Sequence, residues 1–210
     1  MTSFWDISPP IHADSPVFPG DTPYAQNWVS RIGPGCPVNI SRITFSPHVG
    51  SHADAPLHYD EAGMPAGEMP LEDFIGPCRV IHAIGCGPLV EWNHVAEAVT
   101  RPDLPPRILV RTYDKVPLDR FDLAGSAYAP ELLDRLAALG VRLIGIDSAS
   151  VDPVDSKSLD CHQRLGSLNL RVLENLVLDA VPEGDYELIA LPLKLVQACA
   201  SPVRAVLRIL

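Results

Sequence analysis

Short apolar or alternating runs, each closed by turn residues, predict β-strands over residues 38–45, 79–84, 108–112, 142–146, 187–191 and 203–209. Their side chains are mostly β-branched or leucine, as half-buried and buried strands require. Helical spacing appears in three places. Residues 130–139 open on Pro130, carry an apolar stripe of Leu132, Leu133, Leu136 and Ala137, and stop at Gly140. Residues 170–180 follow Asn169, a residue suited to a helix N-cap, and set Leu170, Leu173, Leu176 and Val177 on one face. Residues 91–99 show a fainter version of the same pattern. Strands outnumber helices and alternate with them irregularly, which predicts a mixed α/β fold rather than a regular doubly wound one. No repeat or flexible linker divides the chain, so a single domain over residues 1–210 is expected.

Composition narrows this picture. Proline supplies 22 of 210 residues, about twice its usual share of roughly 5%, and interior prolines break helices, so long helices are not expected. Lys and Arg number 16 against 26 Asp and Glu, a net charge of −10. That sign opposes phosphate tracking and anionic lipid, so neither nucleic acid nor membrane is expected as a partner. The five cysteines are odd in number and contain no CxxC pair, which suits reduced structural thiols. The opening MTSFWDISPP shows no basic leader or apolar signal core, and no stretch reaches the roughly 18 apolar residues of a bilayer span. A cytoplasmic protein acting on a small molecule is the expectation.

Candidate chemistry concentrates between residues 46 and 58. The stretch SPHVGSHADAPLH holds His48, His52 and His58 with Asp54, and imidazole with carboxylate is the donor set of Zn²⁺ or a similar first-row divalent ion. On a flat strand His48 and His52 would stand about 13 Å apart at about 3.3 Å per residue, too far to share one ion. Pro47, Gly50 and Pro56 argue against a helix. The spacing therefore predicts a strand that ends in a tight turn at Gly50-Ser51 and folds His52 and Asp54 back toward His48. Further ligands must come from elsewhere, and His162 and Glu174 stand out. On a helix over residues 170–180, Glu174 falls on the apolar side, where a carboxylate needs a cation beside it unless it reaches solvent at the rim. Cys161 could also ligate, though its neighbours suit a small packed residue better.

The stretch HVGSHADAPLH resembles the HxGTHxDxPxH signature of the metal-dependent cyclase-like hydrolases. The resemblance runs along nearly the whole chain: DIS followed by VFPGDTP, IGIDSASVD, His162 with Leu173-Glu174-Asn175-Leu176, and LPLKL followed by ASPVRAVL. These are similar to the bacterial kynurenine formamidase branch of that family. The resemblance implies a central mixed β-sheet or barrel with short flanking helices, commonly in a homodimer. It also implies two metal ions, usually zinc with Mn²⁺ as a substitute. His48, His52 and Asp54 would hold the first, Asp54 would bridge to a second held by His162, and Glu174 would touch both. His58 would be the proton donor and acceptor, and Phe18 would line the substrate pocket. Ser51 stands where the pattern has Thr, keeping the hydroxyl. Phe18 stands where these enzymes often have Trp, keeping the aromatic wall and losing an N–H donor.

The activity so implied is hydrolysis of N-formyl-L-kynurenine to L-kynurenine and formate, with water activated at the metal site and a histidine moving the proton. Relatives that open isatin or other cyclic amides make that substrate class the alternative, and a non-catalytic module stabilised by metal is the rival from outside enzymology. A serine hydrolase is disfavoured because the chain has no G-x-S-x-G elbow.

Overall fold

A computed structural model describes residues 4–210, so the first three residues of the amino-terminal stretch read above lie outside it. In chain order the elements are β1 (Phe4–Asp6), β2 (Ala25–Ser30), β3 (Ile40–Thr44), β4 (His52–Asp54), β5 (Ile75–His82), β6 (Leu89–Val90), α1 (Trp92–Val99), β7 (Arg107–Arg111), β8 (Ala127–Tyr128), α2 (Pro130–Ala138), β9 (Leu143–Ile146), α3 (Asp160–Leu168), β10 (Arg171–Leu173), β11 (Gly184–Ile189), β12 (Ala200–Pro202) and β13 (Val206–Ile209). Seven strands form a curled mixed sheet in the order β1-β13-β11-β5-β7-β9-β10. The run β5-β7-β9-β10 is parallel, while β11, β13 and β1 add in antiparallel fashion. The helices are short, as the proline content predicts, and each lies on a crossover between parallel strands: α1 after β5, α2 after β7, α3 after β9.

Period-two alternation divides the core into two layers. Ile108, Val110, Ile144 and Ile146 face the helices and pack with Val95, Val99, Leu132, Leu133, Leu136 and Leu165. Leu109, Leu143 and Val80 face the other way, onto Phe74, Leu173, Leu176, Ala53 and Ala55. Each fully buried leucine or isoleucine contributes roughly 1.5–3 kcal/mol. Gly145 lets the second layer close: a Cβ there would meet Leu109 Cδ2 at 2.5 Å and Leu176 Cδ1 at 2.9 Å.

All six expected strands are present with shifted ends, and so are the helices expected over residues 91–99 and 130–139. The helix expected over residues 170–180 is not. Arg171–Leu173 is a strand parallel to β9, and Asn175 turns the chain at φ 56. Leu170, Leu173 and Leu176 are buried on different sides of an extended segment, which mimics helical spacing. The helix lies just before it, at Asp160–Leu168, and Asn169 closes that helix at φ 54 instead of opening another. No helix among the described residues is long and apolar enough to cross a membrane.

Candidate active site

After β3 the chain turns sharply. The Val49 N–H donates to the Ser46 carbonyl at 3.0 Å, and Gly50 adopts φ 72, the left-handed conformation that glycine tolerates best. The Ser51 hydroxyl donates to the Asn175 carbonyl at 2.8 Å, tying the turn to the segment after β10. The His48 and His52 rings consequently lie 5.0 Å apart, the folding-back that the motif's spacing predicts. Along β4 and the residue after it the side chains alternate: Ala53 and Ala55 enter the core, and His52 and Asp54 share the opposite face.

Asp54 is the hub. Its Oδ1 lies 3.0 Å from His48 Nδ1 and 3.4 Å from His52 Nε2, and its Oδ2 lies 3.3 Å from His162 Nε2. Glu174 completes the group, with Oε2 3.2 Å from His52 Nε2 and Oε1 3.9 Å from His162 Nε2. Glu174 arrives from a strand end rather than a helix. Its backbone exchanges hydrogen bonds with His52, N–H to carbonyl at 3.1 and 3.3 Å, and Oε1 accepts the Val151 N–H at 2.8 Å. The five residues expected as ligands from three separate segments thus meet in one buried cluster. Cys161 is not part of it: its thiol donates to the Tyr128 carbonyl within the core.

The carboxylates and imidazoles of the cluster perturb one another strongly. Burial lowers His52, but hydrogen bonds and charge from Asp54 and Glu174 outweigh it and bring the ring to about 10. His162 also stands at about 10, with burial opposed by Asp152 and Asp54, and His48 at about 9, with burial opposed by Asp54 and Cys199. Burial raises Asp54, yet hydrogen bonds with His162, His48 and His52 hold it well below the ordinary carboxylate range. Among the described residues, neither Asp54 nor Glu174 pairs with a Lys or Arg. His52 Nε2 and Asp54 Oδ1 are buried, and neither meets a partner in well-aligned hydrogen-bond geometry, a condition that costs about 1–3 kcal/mol per group when no bond is made. A divalent cation among these nitrogen and oxygen donors satisfies both orphaned atoms and offsets the carboxylate charge, so the residues fit a metal.

The cluster opens into a cavity of about 470 Å³ lined by His58, Phe18, Phe121, Tyr113 and the ends of β7 and β9. Sites at the carboxyl ends of parallel strands are the rule for α/β sheets. His58 ends a short helical turn, Pro56–His58, whose N–H donates to the Ala55 carbonyl at 2.8 Å. Its ring lies 4.3 Å from that of His48 and 5.6 Å from that of His162, on the cavity side. Phe18 meets Phe121 edge to face at 5.4 Å.

Three neighbours escaped sequence reasoning. Asp152 accepts the Cys161 and His162 N–H groups at 2.9 and 3.0 Å and faces His162 Nδ1 at 2.6 Å, so it caps α3 and aims the ring. Its place in IGIDSASVD, ten residues before His162, was the available signal. Phe121 carries no pattern of its own. Cys199 Sγ lies 3.6 Å from His48 Nε2, and hydrogen bonds with His48 and His58 lower the thiol to about 6.

The Cyclase family model matches residues 5–153, a span that includes the whole turn and strand β4. The chain belongs to the Cyclase family. Another similar protein is the kynurenine formamidase of Paracidovorax citrulli (strain AAC00-1), 69% identical over 206 residues, 97% of this chain and 95% of the relative. Among solved structures of similar fold, a protein from Bacillus stearothermophilus described as a predicted metal-dependent hydrolase has a TM-score of 0.84 and 28% identity, covering 99% of this Cyclase-family chain and 98% of its own. Isatin hydrolase A from Labrenzia aggregata shares the fold, with a TM-score of 0.86 at 22% identity, over 99% of this chain and 94% of its own.

Proposed function

We propose that this enzyme hydrolyses N-formyl-L-kynurenine to L-kynurenine and formate, a step of tryptophan catabolism. The observation that carries this reading is the 69% identity to a kynurenine formamidase across 97% of the chain. The cavity supports it with an aromatic wall beside a histidine-carboxylate cluster.

We assign His48, His52 and Asp54 to one divalent ion and Asp54 and His162 to a second, with Glu174 touching both, zinc as the native metal and Mn²⁺ as a substitute. Ions bound there supply Lewis acidity, making water acidic and the formyl oxygen electron-poor. The residues do the rest. Asp54 and Glu174 balance the positive charge, and Asp152 holds the His162 ring. Phe18 and Phe121, in contact with each other, form one wall against the aryl ring and leave the formamide facing the cluster. Water adds to the formyl carbon, and His58 takes the proton released and delivers it to the aniline nitrogen. The C–N bond then breaks to give formate and the free amine.

The exposed apolar hairpin β2–β3 supports a homodimer, and the five free cysteines support a reducing, cytoplasmic compartment. The deciding experiment follows hydrolysis of N-formylkynurenine and of isatin by absorbance, with and without chelator. Turnover of formylkynurenine that chelator abolishes and Zn²⁺ restores is the expected result. Turnover of isatin alone would overturn the substrate, and turnover insensitive to chelator would overturn the metal.

A further inference from the structure

Cys199 takes no part in the chemistry above, yet it stands at the rim of the cluster. The Ala55 N–H donates to the Cys199 carbonyl at 2.9 Å, and the pairing of β12 with β4 fixes the residue beside the His58 turn. One donor atom each from Cys199, His48 and His58 falls within 4.8 Å of the other two. Zinc bonds of about 2.3 Å to sulfur and about 2.05 Å to nitrogen, at a tetrahedral angle, separate the two donors by roughly 3.6 Å. Cys199 Sγ and His48 Nε2 lie 3.6 Å apart, so they already span one edge of such a site. His58 is exposed and Cys199 half-buried, which leaves the group open to an incoming ion.

His48 faces two donor groups from opposite edges of its ring. Nδ1 lies 3.0 Å from Asp54 Oδ1, and Nε2 faces the thiol. A neutral imidazole serves one ion at a time, so the two groups compete for His48. Of the two, the rim group alone contains sulfur, and a sulfur-imidazole set favours soft, thiophilic cations.

We propose that Cys199, His58 and His48 form a second, inhibitory metal site for thiophilic divalent cations, which stops turnover by occupying His58 and drawing His48 away from the first ion. On binding, the thiol loses its proton to solvent and Sγ gives an electron pair to the cation. The His58 nitrogen that binds the ion no longer carries a proton. The inhibition rests on the roles given to His58 and His48 above, whereas the binding does not.

The test titrates the zinc-loaded enzyme with Cd²⁺, reading the ultraviolet thiolate-to-cadmium charge-transfer band and the hydrolysis of N-formylkynurenine in parallel. The expected result is a band and a loss of activity with a common midpoint. Cys199→Ser should keep its uninhibited activity, lose the band, and need about tenfold more Cd²⁺ or above for inhibition. His58→Gln keeps the thiol, and its band should move about tenfold higher in Cd²⁺. Absence of a Cys199-dependent band would overturn the site, as would a Cys199→Ser enzyme inhibited as strongly as the parent. A band without inhibition would overturn the blocking of His58. Collapse of uninhibited activity in Cys199→Ser would assign Cys199 to holding His48 for catalysis and overturn the inhibitory role. The band needs no substrate, so an error in the proposed reaction is separable from an error in the site.

Discussion

Strand β4 buries His52 and Asp54 to 1% exposure each, while the β2–β3 hairpin leaves Trp28 47% and Ile43 53% exposed. One region hides polar groups, and the other shows apolar ones. Both invert the ordinary distribution, and the ions and the second subunit proposed above would account for them. Around β4 the missing element is positive charge, because two buried carboxylates have only histidines as ionisable partners among the described residues. Around the hairpin it is apolar surface, because Val29, Ile32 and Ile40 join the exposed set. Disturbing β4 should therefore destroy activity with little change in assembly, and disturbing the hairpin should do the reverse.

The largest effect is expected at Asp54. Asp54→Asn removes a negative charge that both proposed ions share, so bound metal, measured by elemental analysis, should fall and turnover should vanish while the sedimentation coefficient stays unchanged. Next comes His58→Ala, which should keep the metal and lose activity by about 10²–10⁴-fold. A formanilide with a better leaving group should recover part of that loss, and metal loss equal to that of Asp54→Asn would make His58 a ligand. A third effect separates the regions by pH. In chelated protein, His52 and His162 stand at about 10, above the ordinary value of 6.5. The stability they contribute is fully present below 6.5 and fades as pH rises through about 10. Metal-loaded protein needs those rings unprotonated. Melting temperatures of the two forms, measured from pH 6 to 10, should diverge as pH rises. Phe18→Ala should raise KM by roughly tenfold with bound metal unchanged, since it removes binding common to substrate and transition state. Smallest of all, Ile43→Ser on the hairpin should change folding stability by no more than about 0.5 kcal/mol. It should nevertheless weaken self-association in analytical ultracentrifugation, and unchanged association or a monomeric parent would overturn the dimer proposed on this hairpin.

The same contrast explains what could be read without coordinates. Histidine and aspartate on a turn with glycine and proline announce themselves, because their chemistry is rare inside proteins and their spacing constrains the path. Strands β7 and β9 were equally plain, being continuous apolar runs buried on both faces. Glu174 was legible as a residue but not as part of an element, since Leu170, Leu173 and Leu176 satisfy helical spacing while belonging to a strand and the turn after it. Helix α3 was missed because only Cys161, His162 and Leu165 are buried along DCHQRLGSL, too few for a periodic signal, and Gly166 interrupts it. The hairpin's exposure was hidden because its apolar residues look like any core strand. Phe121 reaches the cavity, and Cys199 reaches His48, only through long-range contacts, which one-dimensional patterns do not encode.

The mutual backbone hydrogen bonds of His52 and Glu174 bear on how the chain acquires its shape. These residues belong to distant parts of the sequence, and their side chains meet because the two backbones are aligned one to one. A slip of a single residue would turn either side chain to the opposite face. A complete donor set therefore exists only once β4 has docked beside β10 in the native alignment, late among long-range contacts whose loop closure is costly. Metal uptake during refolding would then report native alignment itself, and the ion would stabilise that alignment after the chain has found it.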